Sequence, residues 1–322
     1  MGRRILMRWF GLFLIAAGVI WIAFSFNSAN LAWGNMIPFN TKEINIEREV
    51  PMSGVQNLLV DSVSTNVNVI QGSSNQIKVR LSGRISPKYV DTIDLKVAPQ
   101  GDALKLGVNL PDGMNWGLLN LDMNVELPEK LWKSVKVETK SGDVKLAQTK
   151  GDSIDVKSSS GDIQLSQVQA KSATIHAASG NVKMKNVESN QITLQASSGN
   201  LVVDDFKSDE LAFTAGSGNV KLSGGQSKIK GEASTGDIQL ELNSLLQDTD
   251  LKAGSGNVTV HMEKEPQSLA VDYRGGSGKG HIQWNGMKYE ENAENVIRGS
   301  YGSGEVKLKV RISSGDFTLG KG

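Results

Sequence analysis

Cysteine is missing from all 322 residues, which excludes disulfides, a lipid-modified cysteine anchor and cysteine-based metal or redox chemistry. Histidine is nearly missing as well. His176, His261 and His281 are the only three, none sits in a zinc-binding or hydrolase spacing, and each reads as a partly exposed strand residue. The chain has no G-x-S-x-G, H-E-x-x-H or phosphate-binding loop, so no catalytic residue, cofactor or metal site is expected. An excess of either charge is also lacking: 35 basic and 34 acidic residues give a formal net charge of +1. Without Arg3, Arg4 and Arg8 the remainder holds 32 basic against 34 acidic residues, which gives no basis for nucleic-acid binding or long-range recruitment of a polyanion. Aromatic residues make up only 6% of the chain.

Long apolar runs are likewise scarce, with one exception. Trp9 to Phe26 carries no charge and follows the three arginines. Its length is close to that needed to cross a bilayer and exceeds a usual signal-peptide core. The segment is therefore read as a single-pass signal-anchor helix (9–26) after a cytoplasmic basic tail (1–8), with everything from about Asn27 outside the cell membrane by the positive-inside rule. A cleaved signal peptide is the rival reading, since Ser28-Ala29-Asn30 supplies small residues.

What is abundant is glycine, at 35 residues, and it is periodic. Between Ser141 and Asn257 the phrase Ser/Thr-Gly-Asp/Asn followed by apolar-polar-apolar occurs seven times. Its glycines are Gly142, Gly161, Gly180, Gly199, Gly218, Gly236 and Gly256, at intervals of 19, 19, 19, 19, 18 and 20 residues. Such a period marks stacked repeats. After each glycine stands an alternating pair, from Val144/Leu146 to Val258/Val260. Seven and five residues before it stands another, from Val135/Val137 to Thr249/Leu251. Period-two alternation means strands with one buried face. Val168, Val187 and Phe206 add a third inward position, suggesting three sides per coil. Ser-Gly-Asp/Asn is turn chemistry, in which glycine is expected at positive φ.

A lone strand cannot bury one face, whereas coils stacked about 4.8 Å apart turn each inward position into an apolar column. The fold class is accordingly all-β, a parallel β-solenoid of ~19-residue coils. An antiparallel sandwich would not require identical turns at equal spacing. After a linker (27–56), degenerate coils or a cap occupy 57–134, with Thr65-Asn66 standing where Gly-Asp would be. The regular repeats fill 135–260, and an irregular cap with Gly278, Gly304 and the turn glycine Gly315 fills 261–322. Eight to eleven coils are expected.

Two surface columns follow from the register. Asp143, Asp162, Asn181, Asn200, Asn219, Asp237 and Asn257 should stack along one corner. Amides at four of the seven positions favour a hydrogen-bonded ladder over a calcium site. Between the inward pairs, Lys145, Gln164, Lys183, Val202, Lys221, Gln239 and Thr259 form a flat, mildly basic stripe. It reads either as a solvated sheet face protected by lysines or as a docking surface for an envelope protein or cell-wall polymer. Trp116, Trp132, Trp284, Tyr273, Tyr289 and Tyr301 lie in the irregular flanks, as cap packing or as a local binding site.

The basic N-terminus, the apolar segment, a Val-Glu-Leu-Pro stretch at Val125 to Pro128, and tandem Ser-Gly-Asp/Asn units ending in Ser314-Gly315-Asp316-Phe317 together resemble the LiaG-like "putative adhesin" family of bacterial envelope proteins. The resemblance covers roughly Asn57 to the C-terminus. It implies a β-strand-repeat fold and a setting in Gram-positive envelope-stress responses, and it supplies no catalytic residues. The expected function is a non-enzymatic, membrane-anchored interaction or scaffold module. The alternatives are a surface adhesin or wall-glycan binder, and a polysaccharide-active enzyme, which would need carboxylates converging in a groove.

Overall fold

Between Leu131 and Met262 the two apolar pairs of each repeat become two walls of a coil, joined at the glycine. The computed structural model describes residues 41–110 and 120–322, of which Lys42–Gly322 folds as one unit. The apolar segment 9–26, the basic tail and Trp116 lie outside the described residues. Among the described residues no helix is long and apolar enough to cross a membrane.

Among the described residues twenty-four strands form one continuous sheet system. The regular part comprises β8 (Leu131–Thr139), β9 (Val144–Ala147), β10 (Lys150–Ser158), β11 (Ile163–Ala177), β12 (Val182–Ser198), β13 (Leu201–Ser217), β14 (Val220–Ser223), β15 (Gln226–Thr235), β16 (Ile238–Leu242), β17 (Thr249–Ser255) and β18 (Val258–Met262). Each coil has a first side before the glycine corner and a second side after it. A second corner and a short third side, carrying the inward residue Val168, Val187 or Phe206, lead to the next coil. All pairings in this part are parallel with a one-repeat offset, as in Ile163↔Val182 and Ile175↔Leu194. The solenoid read from the sequence is therefore the fold.

The 18-residue interval has a visible cause. Pairing between β13 and β15 shifts from Lys207↔Gln226 to Glu210↔Lys228, so the 18-residue repeat drops its residue where the third side meets the next first side. Stacked walls keep their register because a one-residue slip would send every inward side chain to solvent.

Every inward residue of both pairs is buried, from Val135 and Val144 to Leu251 and Val260. Volume is balanced between coils. The Phe206 ring lies against Gly225, where a Cβ would come within 2.0 Å of it, and the Phe213 ring lies against Gly231 with the same clearance. Gly231 thus occupies an inward position because the neighbouring coil has already filled it. Interiors packed to crystal-like density permit no second side chain there.

Both ends depart from sequence order. At the N-terminal end, β1 (Lys42–Pro51), β2 (Asn57–Ser62), β3 (Thr65–Gln71), β4 (Gln76–Ile85), β5 (Asp94–Gln100), β6 (Ala103–Asn109) and β7 (Asn120–Leu127) precede the regular coils. The earliest coil, β2–β3, lies between the β6–β7 coil and β8–β9, in parallel with both. β4 then pairs antiparallel with β7, β1 with β4, and β5 with β6. β1 lies in the stretch read as linker. Its sequence KEINIEREVP alternates weakly because it is an edge strand, mostly exposed and charged.

The C-terminal end repeats the device with β19 (Leu269–Ser277), β20 (Gly280–Ile282), β21 (Lys288–Ala293), β22 (Val296–Tyr301), β23 (Val306–Ser314) and β24 (Phe317–Lys321). The last coil, β23–β24, inserts between β17–β18 and β19–β20. β22 closes antiparallel on β19, and β21 on β22. The first side therefore runs through eleven parallel layers, β6, β2, β8, β10, β11, β12, β13, β15, β17, β23 and β19.

The flanking aromatics pack these ends. Trp132 is buried, with Lys130 Nζ 3.9 Å above its ring. Burial lowers the pKa of that lysine. Tyr273 is buried and stacks on Phe317 with ring centroids 5.0 Å apart. The Tyr301 hydroxyl donates to the Trp284 carbonyl oxygen over 2.9 Å, and burial pushes its pKa up to about 12. Among the described members of this group, Tyr289 alone is exposed.

Candidate functional site

The glycine corner is a closed hydrogen-bonding system. Asp162 N–H donates to Asp143 Oδ1 (2.9 Å), Asn181 N–H to Asp162 Oδ1 (2.8 Å), Asn200 N–H to Asn181 Oδ1 (3.0 Å) and Asn219 N–H to Asn200 Oδ1 (2.9 Å). The ladder continues through Asp237, Asn257 and Asp316 to Lys279 N–H. At the other end Asp143 N–H donates to Asn66 Oδ1 (3.0 Å), so Thr65-Asn66 does take the Gly-Asp place. Each rung needs only a side-chain oxygen as acceptor, which is why Asp and Asn alternate freely.

The glycines have a different reason from the one their turn chemistry suggests. Gly199, Gly218, Gly236, Gly256 and Gly315 have φ between +119° and +138°, but Gly142, Gly161 and Gly180 lie outside the left-handed region. Common to all is the stacking. A Cβ on Gly161 would stand 2.0 Å from the Gly142 carbonyl oxygen, on Gly180 2.1 Å from that of Gly161, and on Gly199 2.2 Å from that of Gly180. Close approach of backbone to backbone demands glycine here, and positive φ is a secondary feature of the later coils.

The outward stripe on the second side is brought into one line: Lys145 beside Gln164, Gln164 beside Lys183, Lys183 beside Val202, Val202 beside Lys221, Lys221 beside Gln239, and Gln239 beside Thr259. Lys145, Gln164 and Lys183 are exposed, while Val202, Lys221, Gln239 and Thr259 are half-buried. Glu241 engages the latter half, accepting from Lys221 Nζ at 2.9 Å and from Gln239 Nε2 at 2.7 Å. The accessible positive charge is therefore concentrated at Lys145 and Lys183. The three histidines stay apart, and His176 Nδ1 lies 3.2 Å from Gln195 Oε1.

Sequence reasoning missed the second corner. Gln148, Gln167, Asn186 and Asp205 have φ of 51°, 55°, 53° and 54°, and Gly224 continues the series at 63°. Left-handed geometry costs roughly 1–2 kcal/mol for most side-chain-bearing residues, and its fourfold repetition at a 19-residue spacing makes it a built feature. The signal was available in the sequence only as an amide or carboxylate six residues after each of the first four corner glycines. Gln71 follows the last β3–β9 pair, Ile70↔Ala147, as Gln148 does on the other strand. These residues, with Lys150, Gln169, Glu188 and Lys207, line a groove of about 610 Å³ floored by Val187 and Phe206. Lys207 Nζ lies 3.2 Å from Glu188 Oε1, and Lys150 Nζ 3.7 Å from Glu129. The side chains of Gln148, Gln167 and Asn186 take no part in the hydrogen bonds among the described residues, unlike the neighbouring Thr149 and Ser189.

No curated protein matches the sequence. A solved structure of a "putative adhesin" from Parabacteroides merdae is similar over 87% of this chain and 96% of its own, with 11% identity and a TM-score of 0.49. Another from Bacteroides fragilis is similar over 86% and 97%, with 11% identity and a TM-score of 0.47. The Toastrack DUF4097 family matches residues 55–191 and, in an overlapping second match, 148–320. The two matches together run from residue 55 to residue 320, leaving out β1 and the last two residues of the described unit, and the chain belongs to the Toastrack DUF4097 family.

Proposed function

We propose that this Toastrack unit is a non-enzymatic interaction module of the bacterial cell envelope, held outside the cell membrane by the N-terminal apolar segment and linked to the envelope-stress response. The observation that carries the reading is the in-register outward stripe, which offers one partner a continuous, largely polar face over successive coils. Solenoids present extended surfaces of this kind because each coil contacts only its neighbours. The carboxylates Asp143 and Asp162, the pair a glycan-cleaving enzyme would call on, each accept a backbone N–H from the next coil, which supports a structural occupation for them. The envelope-stress setting and the LiaG-like affinity come from the sequence resemblance.

Crosslinking in intact cells, with and without a wall-targeting antibiotic, tests the reading. Specific attachment of membrane or sensor proteins is the expected result, reduced in a Lys145→Glu/Lys183→Glu chain. Attachment of wall polymer alone would replace the scaffold reading by that of a wall-glycan binder.

A further inference from the structure

The second corner holds polar side chains that the fold does not use, in a conformation that glycine would adopt at less cost. Gly224 shows that the corner accepts glycine, yet Gln148, Gln167, Asn186 and Asp205 stand in the four preceding coils. Strained positions persist where the surroundings or a function require them, and no internal hydrogen bond accounts for the amides. They line a groove that crosses consecutive coils, so it follows the solenoid axis and presents one polar side chain about every 4.8 Å. Its volume of about 610 Å³ lies within the range of ligand sites.

Three features select the occupant. The charged lining residues balance, with Lys150 and Lys207 against Glu188 and Asp205, so a polyanion or polycation gains no net attraction. Primary amides carry both donors and acceptors, which suits hydroxyl and acetamido groups that do the same. The repeat along the axis is close to the length of one sugar ring in an extended strand, so successive rings would meet equivalent side chains. We infer that the second-corner groove binds an uncharged glycan strand lying along the solenoid axis, with Gln148, Gln167 and Asn186 as its principal hydrogen-bonding contacts. The inference rests on the interaction-module reading and gives it a ligand class and a site away from the lysine stripe.

The test titrates the full chain, in mild detergent, with chitohexaose as an uncharged N-acetylhexosamine oligomer and with polyphosphate as an anionic comparator, by calorimetry. A Gln148→Gly/Gln167→Gly/Asn186→Gly chain removes the amides while supplying the residue best suited to the left-handed corner, so its melting temperature should equal or exceed that of the parent. The expected result is saturable chitohexaose binding by the parent, weakened about tenfold or more in the glycine variant, with no polyphosphate binding. A Gln148→Glu/Gln167→Glu/Asn186→Asp chain of similar size should lose binding too. Undiminished binding by the glycine variant, preference for polyphosphate, or no chitohexaose binding by the parent would each overturn the inference. Persistence of the in-cell protein crosslinks in any of those cases would leave the module reading standing, and their loss as well would end both.

Discussion

At the glycine corner, Asn181, Asn200 and Asn219 each lend a side-chain oxygen to the backbone of a neighbouring coil, whereas at the left-handed corner Asn186 and its column companions make no such bond. The backbone constraint differs in the same sense. Glycine at the first corner is forced by a carbonyl oxygen about 2 Å from any added Cβ. At the second, side chains are carried despite their φ values near 50°. Similar residue types thus serve cohesion at one corner and face outward at the other. A surface column in a repeat protein has to be judged by what its side chains already hold.

The largest effect should come from the first corner. Gly180→Ala and Gly199→Ala should each destabilise by roughly 3 kcal/mol or more, because the added methyl meets backbone and not a movable side chain. Urea unfolding of the pair sharpens the cause, since only Gly199 has positive φ. Equal losses confirm stacking as the constraint, and a loss confined to Gly199→Ala would restore the conformational explanation.

The closing coil, outside both corners, gives a control of intermediate size. Burial raises Tyr301 to about 12, so the folded state holds its proton where the unfolded chain, near 10, releases it. The stability this contributes is fully present below about pH 10 and is lost as pH rises towards 12. Thermal unfolding across that window should show a fall of about 1–2 kcal/mol, smaller in a Tyr301→Phe chain. A pH-independent difference between the two chains would show that the hydroxyl is not shielded.

Asn200→Ala leaves the Asn219 N–H without its acceptor at an exposed corner and should cost about 1 kcal/mol, while Asn200→Asp retains the acceptor and should be close to neutral. If both cost the same, the amide N–H₂ rather than the oxygen matters, and the account of mixed Asp and Asn fails. The smallest change belongs to the second corner. Gln167→Gly should lie between neutral and about 1 kcal/mol stabilising, strain relief being offset by unfolded-state entropy. A clear loss of stability there would mean that the side chain supports the fold after all.

Much of this could be read before folding. The alternation at Val144/Leu146 and Val135/Val137, repeated every 19 residues, fixes both walls, and the third inward position at Val168, Val187 and Phe206 fixes the triangular coil. Even the degenerate Thr65-Asn66 was legible as a corner, because an oxygen-bearing side chain is all the ladder asks of it. The second corner was not legible. Gln148 and Gln167 are poor indicators of left-handed backbone, a conformation more often taken by Gly, Asn or Asp, and no propensity rule marks them.

What the amino-acid order by itself determined is therefore the coil: its length, its inward columns and its glycine corner, since strand alternation and the need for glycine at a close approach are local or nearest-neighbour requirements. What only the tertiary structure decided is the order of coils at the two ends and the use of each surface column. Parallel and antiparallel partners ask for the same alternation, so nothing in β4 or β22 announces that these strands run against their neighbours and close the stack. Whether an amide is consumed or left outward depends on the atom placed opposite it by the next coil, and that atom is set by stacking.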